Sequence, residues 1–182
     1  LTSETSGITH ATERLNQKKA AAKEKKYMEY KEAVLNREAP SFSLTNLEGK
    51  QVSLQELKGK VVVLDFWATW CGPCIASFPG MQKVVDAYKG KDDVEIFFVN
   101  TGENVPDHGA RLKNFFDKNP YNFQVLIDGK DEVAKAFGLE GLPSKIVIDK
   151  TGKIRFKSLG ASGDADYTFE ELQMMIEITK AL

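Results

Sequence analysis

The run Val61-Val62-Val63-Leu64-Asp65-Phe66-Trp67 is too continuously apolar for a strand with one wet face, so it belongs in the middle of a sheet covered on both sides. Three residues later Trp70-Cys71-Gly72-Pro73-Cys74 opens a stretch that reads as a helix from about Cys71 to Tyr88. Ile75, Phe78, Met81, Val84, Val85 and Tyr88 supply its apolar positions, and Pro79 inside it is expected to bend it. A buried strand feeding a Cys-x-x-Cys at a helix start puts two sulfurs within bonding reach. It also lays the first sulfur against the positive end of the helix dipole, which stabilises a thiolate. Exchange of a disulfide with another molecule needs that arrangement.

These are the only two cysteines in the chain. As a purely structural bridge they would close so short a loop that the unfolded chain would be only weakly restricted. A zinc half-site would need further ligands, and His10 and His108 are the only histidines. Attachment of a c-type haem is disfavoured because Ile75, not histidine, follows Cys74. No metal and no bound cofactor is expected.

A length of 182 residues suits one domain with a short appendage, and 42% hydrophobic with 28% charged residues is ordinary for a globular chain with a sizeable core. A formal net charge of −1 argues against a nucleic-acid or anionic-membrane surface as partner. No apolar stretch is long enough to cross a bilayer. The chain opens at Leu1 in a polar, Ser/Thr-rich stretch, and the expectation is a fragment or processed product from which a secretory signal or lipid anchor was removed.

Residues 1–38 are expected to form a polar helical arm, with the helix itself from His10 to Ala39 ended by Pro40. Its apolar stripe is poor and its Lys clusters alternate with Glu, so it reads as a linker or solvated helix. Residues 39–182 read as one α/β domain. Phe42–Leu44 and Val52–Leu54 suggest a hairpin; Val94–Val99 is a second buried strand; His108–Lys118 is a helix. Phe123–Ile127 is a short strand, Asp131–Phe137 a short helix closed by Gly138, and Ser144–Asp149 with Lys153–Lys157 a hairpin. A terminal helix starts at Asp164.

With Ala68-Thr69-Trp70-Cys71-Gly72-Pro73-Cys74 in place, the chain resembles the thioredoxin superfamily, and within it the TlpA/ResA-like branch of extracytoplasmic thiol–disulfide oxidoreductases. Ala39–Leu44 with Gly49-Lys50 and Val52–Leu54 is similar to that branch's extra N-terminal hairpin. Gly138–Pro143 with Ile146–Asp149 resembles the segment carrying the family's cis-proline, and residues 101–127 match its central insert. The resemblance implies a thioredoxin fold: a central mixed sheet flanked by helices, with the hairpin extension and a helix-strand insert. It implies a protein disulfide as substrate, an upstream thiol or membrane electron donor, and a periplasmic or otherwise extracytoplasmic place, with a membrane anchor in the precursor. Gly-Pro between the cysteines resembles the reducing members, so a potential nearer about −270 mV than about −120 mV is expected.

Three positions depart from the branch. Ser77 stands where many members carry a glutamate, Ser144 replaces a common threonine, and Asp65 matches the buried acid of thioredoxin where this branch often has asparagine. Thioredoxin's lysine partner for that acid is missing from the next strand, which carries Ile96, Phe97 and Phe98.

The expected roles follow. Cys71 is the nucleophile and Cys74, one turn on and less exposed, the resolving thiol. Asp65 is read as proton acceptor for Cys74, against the alternative of an acid bonded to nearby backbone or to Lys60. Gly72 and Pro73 keep the turn compact, and Trp70 is half-exposed beside the sulfurs while Trp67 is core. The resemblance implies that the Leu142-Pro143 bond is cis and that its loop faces the sulfurs and meets a bound peptide, against the alternative of an ordinary trans proline opening an edge strand. The aromatic pairs Phe97-Phe98 and Phe115-Phe116 are read as core packing, and His108 as a surface helix cap. The competing functions are an oxidant or isomerase with the same residues, a binding module whose thiols matter little, and, more remotely, copper delivery.

Overall fold

All seven side chains of the strand Val61–Trp67 (β4) are buried, because the sheet it centres is covered on both faces. The computed structural model describes the backbone of residues 2–182 and the side chains of residues 9–182. Two compact units result, Leu1–Val34 and Leu35–Leu182. The first is the helix α1 (Thr2–Glu32), whose described side chains are mostly exposed.

The second unit holds an eight-stranded sheet. Its strands are β1 (Arg37–Glu38), β2 (Ser43–Asn46), β3 (Gln51–Ser53), β4, β5 (Val94–Asn100), β6 (Val125–Ile127), β7 (Ser144–Ile148) and β8 (Lys153–Leu159). They lie in the order β1-β8-β7-β4-β5-β6-β2-β3. β4, β5 and β6 run parallel; every other pairing is antiparallel. The helices are α2 (Gly72–Tyr88), α3 (His108–Lys118), α4 (Glu132–Ala136) and α5 (Ala165–Lys180). This is the mixed sheet with flanking helices that defines the thioredoxin fold.

Alternation along β4 divides the core into two layers. Val62, Leu64 and Phe66 face a cluster with Phe42, Leu54, Leu57, Phe97, Phe137, Ile146 and Ile148. Trp67 points the other way, into a ring cluster with Phe78 of α2 and Phe115 and Phe116 of α3. Phe98 stacks on Phe123 at 3.6 Å between centroids, so Phe97 and Phe98 pack on opposite faces of the sheet. These rings fasten the insert α3–β6 to the layer that carries α2.

The N-terminal helix expected over His10–Ala39 differs at both ends. It spans Thr2–Glu32, and Arg37–Glu38 is an edge strand against Ile154 and Lys153. The cause is packing: Leu35 and Ala39 lie against the core, and the Arg155 guanidinium donates to Leu35 O and Asn36 Oδ1, both at 3.2 Å. Pro40 adds to this, since the residue before a proline avoids helical backbone. Ser53 begins a 3₁₀ turn over Leu54–Leu57, where Ser53 and Glu56 cap each other. α2 runs through Pro79 as one helix.

Candidate active site

Cys71 is the N-cap of α2, with extended backbone, and its Sγ accepts a hydrogen bond from Cys74 N at 3.3 Å. Pro73 in the first turn sacrifices nothing, because helix-start N–H groups lack intrahelical partners anyway. The free N–H groups converge on the cap position, so negative charge on Cys71 Sγ is stabilised there. Cys71 and Cys74 are joined as a disulfide, with Cα atoms 5.3 Å apart. Cys74 is fully buried and Cys71 is 3% exposed, whereas Gly72 and Pro73 lie at the surface. Ser77 is buried with its hydroxyl donating to Cys74 O at 2.8 Å, so it offers the sulfurs no acid.

Three residues distant in sequence meet beside this turn. Trp70 is 61% exposed, and its indole N–H donates to Gly102 O at 2.8 Å. Gly102 has φ +70°, and a methyl added there would stand 3.6 Å from the Trp70 ring and 3.9 Å from Leu142 Cδ1. The Leu142–Pro143 bond is cis; Pro143 O accepts from Gly160 N at 2.8 Å. Asp131, itself at φ +58°, holds the Gly102 turn by accepting from Gly102 N at 2.7 Å and Thr101 Oγ1 at 2.8 Å. Burial pushes the Asp131 carboxyl up, but these two hydrogen bonds and nearby Lys135 and His108 leave it below the usual range.

Glu103 makes a second clasp. The buried Glu103 carboxylate accepts from Thr69 N, from Thr69 Oγ1 at 2.9 Å and from Asn100 Nδ2 at 2.9 Å. Arg111 adds a hydrogen bond to Thr69 Oγ1 at 2.9 Å. Residues 102 and 103 therefore grip the two residues before Cys71. One acid in a Gly-Glu-Asn-Val-Pro-Asp loop carries no sequence signal of that contact. His108 is not the cap of α3: Asp107 accepts from Ala110 N at 2.9 Å, while the His108 Nδ1 is buried without a partner.

Asp65 is fully buried, and burial drives its carboxyl above the usual carboxylate range, opposed by Lys145. Lys60 is not its partner, since Lys60 pairs with Glu95 at 2.7 Å. The missing lysine is replaced from the other side. Lys145 on β7 lies directly across the ladder from Asp65, with Nζ 3.4 Å from Oδ1 and only 7% of its side chain exposed. Period-2 alternation puts Asp65 on the same face as Trp67, which packs edge-on against Phe78 of α2. The buried acid and the dithiol helix thus share one layer. Among the described residues no group of three or more His, Cys, Asp or Glu is placed to hold a metal ion.

The AhpC/TSA family pattern matches residues 35–157. The thiol-disulfide oxidoreductase ResA of Bacillus thuringiensis subsp. konkukian is 40% identical over 120 residues, covering 66% of this chain and 66% of that protein. The ResA of Bacillus anthracis is 38% identical over 126 residues, 69% of this chain and 70% of that one. The crystal structure of the pneumococcal exposed lipoprotein thioredoxin Etrx1 from Streptococcus pneumoniae superposes with a TM-score of 0.63 at 30% identity, covering 76% of this chain and 99% of that one. The chain spans just under two thirds of the first relative's length. With its Cys71–Cys74 bridge at a helix cap and a cis-proline just before β7, the neighbour of β4, the chain belongs to the AhpC/TSA family and, within the thioredoxin superfamily, to the ResA-like thiol-disulfide oxidoreductases.

Proposed function

We propose that this protein reduces disulfides in extracytoplasmic protein substrates through a Cys71–Cys74 dithiol cycle. The observation that carries the reading is the position of Cys71 as N-cap of α2, with the Cys74 N–H on its sulfur and Cys74 one turn behind it. In the reduced state the Cys71 thiolate attacks one sulfur of the substrate disulfide. A mixed disulfide forms, and the other substrate sulfur leaves as a thiolate and takes a proton. Cys74 then gives its proton to the Asp65 carboxylate and attacks Cys71 Sγ. The Cys71–Cys74 bond forms, the mixed disulfide breaks, and the second substrate thiol is released. The substrate has gained two electrons from the dithiol and two protons, one from solvent and one from Cys74 by way of Asp65, and an upstream thiol or membrane donor must return the electrons to the protein.

Trp70, Gly72, Pro73, Leu142 and Pro143 form the surface that meets the substrate. Trp70 and Leu142 supply apolar area next to Gly102, and the cis Leu142–Pro143 bond is assigned to present backbone to the bound chain. Placement outside the cytoplasm is supported by the pneumococcal relative, which is described as an exposed lipoprotein. Among the described residues no helix is long and apolar enough to cross a membrane. The cycle uses no bound cofactor.

Insulin reduction with dithiothreitol as donor tests the activity. Wild type accelerates precipitation, and Cys71→Ser with Cys74→Ser together abolishes the acceleration; an unchanged rate in the double variant refutes the reading. Cys74→Ser alone should hold its substrate on Cys71. Titration against glutathione buffers then sets direction, and a potential near about −120 mV would make the protein an oxidant instead.

A further inference from the structure

We propose that Asp131 is a positioning residue for substrate docking: its carboxylate fixes the Gly102 turn, and that turn holds the Trp70 ring at the substrate-facing surface next to Cys71. This rests on the disulfide-exchange reading above.

Asp131 is locally out of place on two counts. At φ +58° and ψ 20° it is the one non-glycine residue with positive φ among the described residues, in a region that glycine enters at no steric cost. It also occupies the N-cap position of α4, where an aspartate normally accepts from its own helix, yet its side chain makes no cap bond. Asp128 caps the helix instead, accepting from Val133 N at 3.2 Å and Ala134 N at 2.8 Å. The Asp131 side chain turns to the segment that follows β5, where its Oδ1 accepts from Gly102 N at 2.7 Å and from Thr101 Oγ1 at 2.8 Å. Burial opposes ionisation of this carboxyl, but the two hydrogen bonds with nearby Lys135 and His108 outweigh it, so the acceptor is the anion. A backbone conformation kept at a cost, for contacts outside its own helix, points to a task at the place contacted.

That place is Gly102. The end of β5 is fastened without Asp131, since Thr101 N donates to Trp67 O at 3.0 Å and Asp128 N to Asn100 O at 2.9 Å. Gly102 N, by contrast, donates to Asp131, and Gly102 O accepts from the Trp70 indole at 2.8 Å. Gly102 is thus pinned at both polar atoms, each by a side chain from a distant part of the chain. Its φ of +70° needs that restraint, because a free glycine samples both signs of φ and would swing the carbonyl away from the indole. Trp70 is 61% exposed, so this bond, rather than burial, sets where the ring lies. A methyl on Gly102 would meet Trp70 at 3.6 Å and Leu142 at 3.9 Å, so the same turn sets the spacing of both apolar contacts offered to substrate.

The test reads Trp70 directly. The chain has two tryptophans, so two indole N–H signals appear in a nitrogen–proton spectrum, and Trp70→Phe assigns them. Asp131→Gly suits the positive φ and removes the carboxylate. In it, exchange of the Trp70 indole N–H with water rises about two- to tenfold, the protection given by one hydrogen bond of ordinary net strength, while Trp67 is unchanged. For insulin reduction its KM rises about two- to fivefold with kcat within about twofold of wild type, because docking loosens and the sulfurs do not. Asp131→Asn keeps the acceptor oxygen and tolerates positive φ, and it restores wild-type exchange and KM. Trp70→Ala/Asp131→Gly has the KM of Trp70→Ala alone, since the aspartate acts through the ring. A wild-type Trp70 indole N–H that exchanges as fast as free indole overturns the assignment, even if Asp131→Gly does not fold. So does an Asp131→Gly KM within about 1.5-fold of wild type, an Asp131→Asn KM equal to that of Asp131→Gly, or a double variant more than about twofold above Trp70→Ala. Absence of insulin reduction by wild type is a different failure, that of the disulfide-exchange reading, and the indole exchange is read without it.

Discussion

Replacing Gly80 by alanine drives a methyl group into the seam between α2 and α5. An ideal Cβ at Gly80 stands 2.6 Å from Thr168 Cβ, 2.8 Å from Ala165 O and 3.0 Å from Thr168 Cγ2. Carbon–carbon contacts are most favourable at about 3.5–4.0 Å, so the shortest overlap is on the order of 1 Å. It falls on backbone and on a Cβ, neither of which escapes by changing rotamer. Relief therefore requires α5 to retreat, loosening Leu172, Met175 and Ile176 in the core beneath it. Overpacking of this kind costs about 1–3 kcal/mol, against at most about 1 kcal/mol regained because alanine is the better helix former. An overlap of this size against backbone belongs at about 2–3 kcal/mol of that range, so the net is a loss of about 1–2 kcal/mol. For a chain of this size each 1 kcal/mol lowers Tm by about 2–4 °C, giving a fall of about 2–8 °C. Thermal unfolding followed by near-ultraviolet circular dichroism reads it directly. Thr168→Ala in the same chain should rescue little, because it removes the 3.0 Å contact and leaves the 2.6 Å one. A Gly80→Ala protein as stable as wild type, or more so, would mean that the helix seam has slack and that the packing argument is wrong.

Acid stability should depend on Asp149. Burial pushes its carboxyl up, but hydrogen bonds from Thr151, Lys153 and Arg155 outweigh that and hold it at about 2. A folded pKa below the unfolded value of 3.8 adds stability that is complete above about pH 5 and is lost as pH falls towards about 2, worth about 2 kcal/mol in all. Urea melts over that range should show wild type losing this increment and Asp149→Asn lacking it; parallel curves would refute the assignment. Trp70→Ala should leave stability within about 1 kcal/mol of wild type, since the ring is exposed and loses one hydrogen bond. Its insulin-reduction kcat/KM should fall about two- to tenfold if the ring stacks on substrate, and an unchanged kcat/KM would remove Trp70 from the docking surface.

The dithiol and its strand are legible in the sequence because their signal is local: an apolar run, a Cys-x-x-Cys and helical spacing follow one another within thirty residues. The partner of Asp65 is not, because an ion pair between residues 65 and 145 depends on the register of two antiparallel strands, which no local pattern specifies. Lys145 simply interrupts an apolar strand, and searching for the lysine on β5 looks to the wrong neighbour. Glu103 escapes for a similar reason, since its three donors come from Thr69 and Asn100 once the loop folds back. Arg37–Glu38 reads as helix because two charged residues after an Ala/Lys/Glu-rich stretch fit helix propensity. Their strand conformation comes from pairing with β8.

Both margins of the eight-stranded sheet are short and polar. One ends in Arg37–Glu38, two exposed residues of opposite charge, and the other in Gln51–Ser53, which turns at once into a capped 3₁₀ segment. Neither offers the long, flat, apolar rim on which a second chain could lay down a strand. The proposed disulfide exchange would bring it against other protein chains, some of them partly unfolded. On that proposal, blunted rims would let it hold such a chain by one sulfur without becoming the seed of an aggregate.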